Sequence, residues 1–193
     1  MNIVTLMSGG LDSSLMSILT KETGRSQVPL FINYGQLNFT KEYASAVTHC
    51  TNHELPDPIV IDISGYGQII SSGLTDKNKD IIDDAFLPGR NMMLLLTASS
   101  FAVQNNCNAV SIGLLNERSV LFPDQTDDFL ISAENTITKA LGTKIEIVTP
   151  LRDFTKQDVI EMAIMKDVTN TYSCHAGGNV PCGNCISCRE FIT

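Results

Sequence analysis

The sequence predicts an α/β protein: an open, doubly wound parallel sheet of about five strands with a small C-terminal metal-binding segment. Three observations lead there. Short apolar, β-prone runs alternate with helical stretches along the first 165 residues, an order that lays strands parallel with helices on both faces. The first apolar run stops at Ser8-Gly9-Gly10 and passes directly into a helical pattern. Four cysteines crowd into the last twenty residues.

Length and composition set the frame. A chain of 193 residues suits one main domain with a small appendage, and we expect a nucleotide-binding unit over 1–170 and a cysteine tail over 171–193. A hydrophobic fraction of 43% is ordinary for a globular protein. The net charge of −8 excludes a broad nucleic-acid face, because a phosphate backbone is met by clustered Lys and Arg. No apolar run approaches a membrane span, and the N-terminus carries no basic and apolar leader, so the expectation is a cytoplasmic protein. In that reducing setting clustered cysteines point to metal rather than disulfides.

The elements follow in order. Residues 3–7 read as a strand and 11–21 as a helix with Leu15, Ile18 and Leu19 on one face and Gly24 as its stop. Residues 28–34 read as a buried strand, with Gly35-Gln36 at the carboxyl edge where open α/β sheets bind ligands. Thr40 is the expected cap of a helix running to Cys50, with Tyr43, Ala44 and Val47 inward. A strand over 59–63 precedes an irregular, Gly- and Asp-rich stretch over 65–84, read as a mobile lid or surface insertion with one helical turn. Pro88-Gly89 opens an apolar helix over 91–104. A short strand over 109–113, a loop over 114–128 and a helix over 129–141 stopped by Gly142 come next. A last strand over 145–148 leads to a helix over 156–165, capped by Asp153 or Thr155.

Two groups of residues carry chemistry. Around the first turn, Gly9 and Gly10 can take positive φ and admit a phosphate close to the backbone, while Ser8, Ser13 and Ser14 offer hydroxyl donors. Met7, Leu11 and Asp12 complete this candidate phosphate loop. The spacing is neither Walker A nor G-x-G-x-x-G. Arg90 lies next to a helix N-terminus, where dipole and charge together favour an anion. In the tail, Cys174, Cys182, Cys185 and Cys188 have the spacing of a closed tetrahedral Zn²⁺ site, which would be structural; an iron–sulfur cluster shares the ligand set. Cys50 and Cys107 read as inert core thiols.

Ser8-Gly9-Gly10-Leu11-Asp12-Ser13 resembles the SGGxDS loop of the PP-loop ATP pyrophosphatases, which cleave ATP between the α and β phosphates. Tyr34-Gly35-Gln36, Pro88-Gly89-Arg90-Asn91, Phe122-Pro123-Asp124, Pro150-Leu151 with Lys156, and the tail from Ser173 to Arg189 narrow the likeness to the 7-cyano-7-deazaguanine synthase (QueC) family over nearly the whole length. The resemblance implies an AMP-forming ligase that uses ATP and Mg²⁺ and carries structural Zn²⁺. It would activate a small-molecule carboxylate, 7-carboxy-7-deazaguanine, for attack by ammonia and yield the nitrile, preQ0, for queuosine biosynthesis. It also implies a homodimer. By position, Met7, Ser8, Gly9, Gly10, Leu11, Asp12, Ser13, Ser14 and Arg90 would bind ATP, Arg90 and Lys156 would be catalytic, and Tyr34, Gln36, Asn91 and Asp124 would face the substrate. Where the family has Arg-His after Tyr-Gly-Gln this chain has Leu37-Asn38; where it has Cys-Arg after Pro-Asp there is Gln125-Thr126; and Tyr172 replaces a Trp. These departures motivate an alternative: adenylation of a related carboxylate to give an amide or a conjugate on a protein acceptor. A tRNA-modifying PP-loop enzyme and a non-catalytic zinc- and nucleotide-binding module are further alternatives.

Overall fold

The computed structural model describes residues 2–191. Five parallel strands, β1 (Asn2–Leu6), β2 (Ser26–Asn33), β3 (Ile59–Asp62), β4 (Cys107–Ser111) and β5 (Glu146–Val148), form one sheet in the order β3-β2-β1-β4-β5. The register pairs Val4 with Val28 on one side and with Val110 on the other. The chain winds outward from β1 in both directions, so the switch point lies between the carboxyl ends of β1 and β4.

Both faces are covered, as the alternation of sequence elements requires. Helices α1 (Leu11–Glu22), α2 (Phe39–Asn52), α3 (Gly65–Ile69), α4 (Arg90–Gln104), α5 (Asp127–Leu141) and α6 (Lys156–Met165) are followed by a single turn, α7 (Ile186–Arg189). Alternate strand residues face opposite ways. Val4, Leu6 and Val110 pack with Leu95, Ala98 and Ala102 of α4 and Ala133 and Ile137 of α5. On the other face, Leu11, Leu15, Met16 and Ile18 of α1 pack with Val159 and Ala163 of α6. Phe31 and Met7 meet Ala46 and Cys50 of α2 in a third cluster, with Phe39 and Tyr43 stacked beside it. Each fully buried Leu or Ile adds about 2 kcal/mol, and Ile3, Leu15, Leu30, Leu95 and Leu151 are all at 0% exposure. Among the described residues no helix is long and apolar enough to cross a membrane.

Several expectations need correction. Asn38, not Thr40, occupies the position before α2. The inward face of α2 is Ser45, Ala46, His49 and Cys50, and Ala44 is exposed. The reason is close approach: α2 runs against the turn after β1, where an ideal Cβ on Gly9 would lie 3.0 Å from Ala46 N, so small residues must face it. β4 begins at Cys107 and ends at Ser111, two residues earlier than expected at each end. Thr155 caps α6 through a reciprocal box with Asp158. The stretch over 65–84 is no free lid: Leu74 is 4% exposed, and Gly73 N donates to Asp84 O, so it folds down as a wall of the site.

Candidate active site at the sheet switch point

A cavity of about 270 Å³ opens beyond the carboxyl ends of β1 and β4. Its floor is the turn between β1 and α1. Gly9 has φ +74°, and an ideal Cβ there would fall 2.1 Å from Glu42 O, so only glycine fits between the turn and α2. Gly10 has φ −79°, an ordinary value, so its expected left-handed conformation is absent. Ser13 Oγ accepts from Ser8 N (3.1 Å) and Ser8 Oγ (3.0 Å) and donates to Gly10 O (3.1 Å), which closes the turn into a small ring. The first-turn N–H groups of α1 have no helical acceptor, and the helix dipole adds positive potential beside them.

Of the residues expected around ATP, Met7, Ser8, Gly10, Leu11, Asp12, Ser13 and Arg90 line the cavity. Two do not. Ser14, on the inward side of α1, is fully buried, and its hydroxyl has no hydrogen-bond partner among the described residues. Gly9 turns its carbonyl away, accepting from Tyr172 N at 2.9 Å, with Ser45 Oγ at 2.7 Å. Of the residues expected at the substrate, Tyr34, Gln36 and Asn91 line the cavity and Asp124 does not. Asp124 Oδ2 accepts from Asn91 N (3.1 Å), and Asn91 Nδ2 donates to Asp124 O (2.8 Å), so this pair ties the start of α4 to the loop after β4.

Two cations reach in. Lys156, at the start of α6, is no solvated lysine: its Nζ lies 2.7 Å from Asp12 Oδ1 and 2.9 Å from Glu190 Oε2. Burial works against the ammonium, but Asp12 and Glu190 outweigh it and hold its pKa above the ordinary value. Arg90, the first residue of α4, makes no ion pair among the described residues. Burial raises the pKa of the Tyr34 hydroxyl to about 12, against the pull of the positive charge on Arg90.

Sequence reasoning missed part of the wall. Glu42 lies in the cavity. Its Oε1 accepts from Asn38 Nδ2 (2.9 Å) and its Oε2 from Gln36 Nε2 (3.3 Å). Burial pushes its pKa up to about 7, with the two amides and Arg90 pulling the other way. The i, i+4 spacing of Asn38 and Glu42 was the available signal. The tail supplies Ser173, His175, Ser187 and Glu190. Leu11 N donates to Ser173 Oγ (3.4 Å), and Asn38 Nδ2 to Cys174 O (3.1 Å), so the tail closes over the turn. No local pattern could place residues so distant in sequence.

The four tail thiols lie within 4.8 Å of one another. Cys182 Sγ and Cys188 Sγ are 4.0 Å apart, near the ~3.8 Å edge of a tetrahedron with Zn–S bonds of ~2.3 Å. Backbone N–H donors of Asn184 and Cys185 pull the Cys182 thiol down to about 6, as a thiolate ligand requires. The donor set therefore fits a closed, four-thiolate metal site.

Two positions that depart from the family pattern, Gln125 in place of a Cys and Thr126 in place of an Arg, now have visible jobs. Gln125 Oε1 accepts from Leu121 N and Phe122 N, closing its own turn. Thr126 Oγ1 accepts from Phe129 N and caps α5.

A parallel α/β sheet with a Ser-Gly-Gly turn feeding a helix at its switch point, and two cations above that turn, defines a PP-loop nucleotide-binding protein. Solved structures agree on the fold. The U34-tRNA thiolase NcsA from Methanococcus maripaludis superposes with a TM-score of 0.57 at 16% identity, covering 98% of this chain and 62% of that one. NMN synthetase from Francisella tularensis gives 0.55 at 16% identity, covering 92% and 68%. Residues 2–191 match the family described as queuosine biosynthesis protein QueC, and the chain belongs to that family. Among its relatives, the 7-cyano-7-deazaguanine synthase of Nautilia profundicola is 32% identical over 198 residues, covering 96% of this chain and 89% of that protein. The synthase of Sulfurimonas denitrificans is 33% identical over 200 residues, covering 96% and 88%.

Proposed function

We propose that the protein is an ATP-dependent carbon–nitrogen ligase that converts 7-carboxy-7-deazaguanine and ammonia to 7-cyano-7-deazaguanine, releasing AMP and pyrophosphate. The observation that carries this reading is the convergence of Arg90, Lys156 and residues 8 and 10–13 on one cavity at the switch point, in a chain of the QueC family. A carboxylate is a poor electrophile. Its oxygen attacks the α-phosphorus of ATP, pyrophosphate leaves, and the acyl adenylate gains a good leaving group. Ammonia displaces AMP to give the amide, and a second activation at the amide oxygen with loss of the N–H protons gives the nitrile.

The residues divide the work by position. The first-turn N–H groups of α1 and the Ser8 hydroxyl hold the departing pyrophosphate. Arg90 and Lys156 neutralise charge that builds on the phosphates in the transition state. Asp12 holds Lys156 extended into the cavity. Mg²⁺ bound with ATP would supply further charge neutralisation on its phosphates, and Asp12 and Glu190, the carboxylates beside Lys156, are the residues that would hold it. Zn²⁺ on Cys174, Cys182, Cys185 and Cys188 is structural and holds the tail. Tyr34, Gln36 and Asn91 face the carboxylate substrate. The same reading carries a homodimer.

A second reading keeps adenylation and changes the acceptor, joining a related carboxylate to another amine, including one on a protein. It is favoured by Leu37, Asn38, Gln125 and Thr126, none of which is cationic. One experiment separates the two. Pyrophosphate release by zinc-loaded protein is measured with and without 7-carboxy-7-deazaguanine and ammonia, and the product is weighed by mass spectrometry. Substrate-dependent release with nitrile supports the first reading. Release without nitrile supports the second.

A further inference from the structure

We propose that Glu42 is the catalytic base that takes the proton from the incoming amine as the carbon–nitrogen bond forms. The proposal rests on the adenylating reading above and adds a residue to it.

Among the described residues three carboxylates line the cavity, Asp12, Glu42 and Glu190. Asp12 and Glu190 are both committed to Lys156, at 2.7 Å and 2.9 Å. Glu42 forms no ion pair among the described residues. Each of its oxygens accepts one amide N–H and keeps a second acceptor site. The amides are themselves anchored. Gln36 Oε1 accepts from Tyr34 N (2.9 Å) and Gln36 Nε2 donates to Ile32 O (3.2 Å), while Asn38 Nδ2 also reaches Cys174 O (3.1 Å). The carboxylate is thus held in one place, as a positioned base must be.

The surroundings fit the task. The ionisable groups that face Glu42 are Arg90 from α4, Tyr34 from the end of β2 and Tyr172 from the tail. An unpaired carboxylate in a site for a triphosphate repels the ligand, so a merely structural position would be better filled by Gln. With burial raising its pKa to about 7, Glu42 can accept a proton at neutral pH and release it to solvent afterwards. In the step, the nitrogen lone pair forms the C–N bond and the carbonyl π electrons move to oxygen. One N–H proton passes to a Glu42 oxygen. The oxyanion then collapses, the C–O bond to AMP breaks, and AMP leaves with that electron pair.

The test compares two partial reactions in the intact zinc-loaded protein. ATP–pyrophosphate exchange driven by 7-carboxy-7-deazaguanine without ammonia reports adenylation. Amide and nitrile formation with ammonia reports the nitrogen step. Glu42→Gln is expected to lower product formation by about 10²-fold or more, far more than exchange. Hydroxylamine, which attacks without a base, should restore turnover as the hydroxamate. Expressed per free ammonia rather than total ammonium, the wild-type nitrogen step should rise with pH through about 7, and that limb should vanish in Glu42→Gln and survive in Glu42→Asp. Equal loss in both partial reactions with no hydroxylamine rescue overturns the proposal, because Glu42 would then only hold ligands. So does unchanged product formation, or a split shown by His175→Gln and absent in Glu42→Gln. No exchange in the wild type overturns the substrate reading first and this step with it.

Discussion

The phosphate loop and the cysteine tail close on one cavity from opposite ends of the sequence, and different forces hold them there. The loop hangs from a strand whose Ile3 and Val4 are at 0% exposure and whose neighbours on both sides are hydrogen-bonded strands. Burial places it. The tail's apolar cluster is Cys174, Cys185 and Cys188 with Ile81 and Tyr172 beside them. So small a cluster cannot offset the entropy of ordering some twenty residues at about 1–2 kcal/mol each. On the proposal that the four thiols hold a metal, coordination supplies the difference. On that proposal one site is built half on packing and half on coordination, and each half can be weakened separately.

The largest expected effect comes from removing the metal. Cys185→Ala, or a strong chelator, should release residues 171–191, since structural zinc contributes about 10 kcal/mol or more in small domains. Hydrogen exchange should show lost protection in the tail and retained protection in β1 and β4. Uniform loss across the sheet would mean that the two regions fold as one unit. Gly9→Ala attacks the other half: with φ +74° and an ideal Cβ 2.1 Å from Glu42 O, it should cost about 3 kcal/mol or more. A thermal melt should fall while zinc content stays at the wild-type level.

Lys156 sits where the halves meet, gripped by Asp12 of the loop side and Glu190 of the tail. Lys156→Met should slow pyrophosphate release about 10²–10³-fold with a small change in melting temperature. The smallest effect is a pH response of the loop side. Burial, and then the charge of His53, bring His49 down from 6.5 to about 4. The native state therefore leaves it neutral where the unfolded chain takes a proton, so its contribution is complete above 6.5 and lost as pH falls toward 4. Glu42, raised from 4.5 to about 7, tilts the same window the other way. The clean comparison is therefore wild type against His49→Gln. Between pH 7.5 and pH 5 in denaturant titrations, the variant should lose about 2 kcal/mol less.

Much of this was readable in the chain because the signals are local. A strand, a Ser-Gly-Gly turn and a helix need only neighbouring residues, so β1, the turn and α1 emerge from 2–22. Cysteine spacing is equally local. The boundaries that moved, at α2 and β4, moved where packing rather than propensity decides. The expected lid over 65–84 read as free because its Gly and Asp content is a composition signal, while the burial of Ser72 and Leu74 is a tertiary one.

By itself the sequence determined the doubly wound class, the loop that feeds α1, the cysteine cluster of the tail and the likeness to a ligase family. Tertiary structure alone decided which of these residues share a cavity. It turned Ser14 into the core, committed Asp124 to the start of α4, brought Glu190 to Lys156, and left Glu42 without an ion pair among the described residues. The physical reason is distance along the chain. Leu11 and Ser173 are 162 positions apart and meet through a single hydrogen bond, and no periodicity or spacing rule reaches across such a gap.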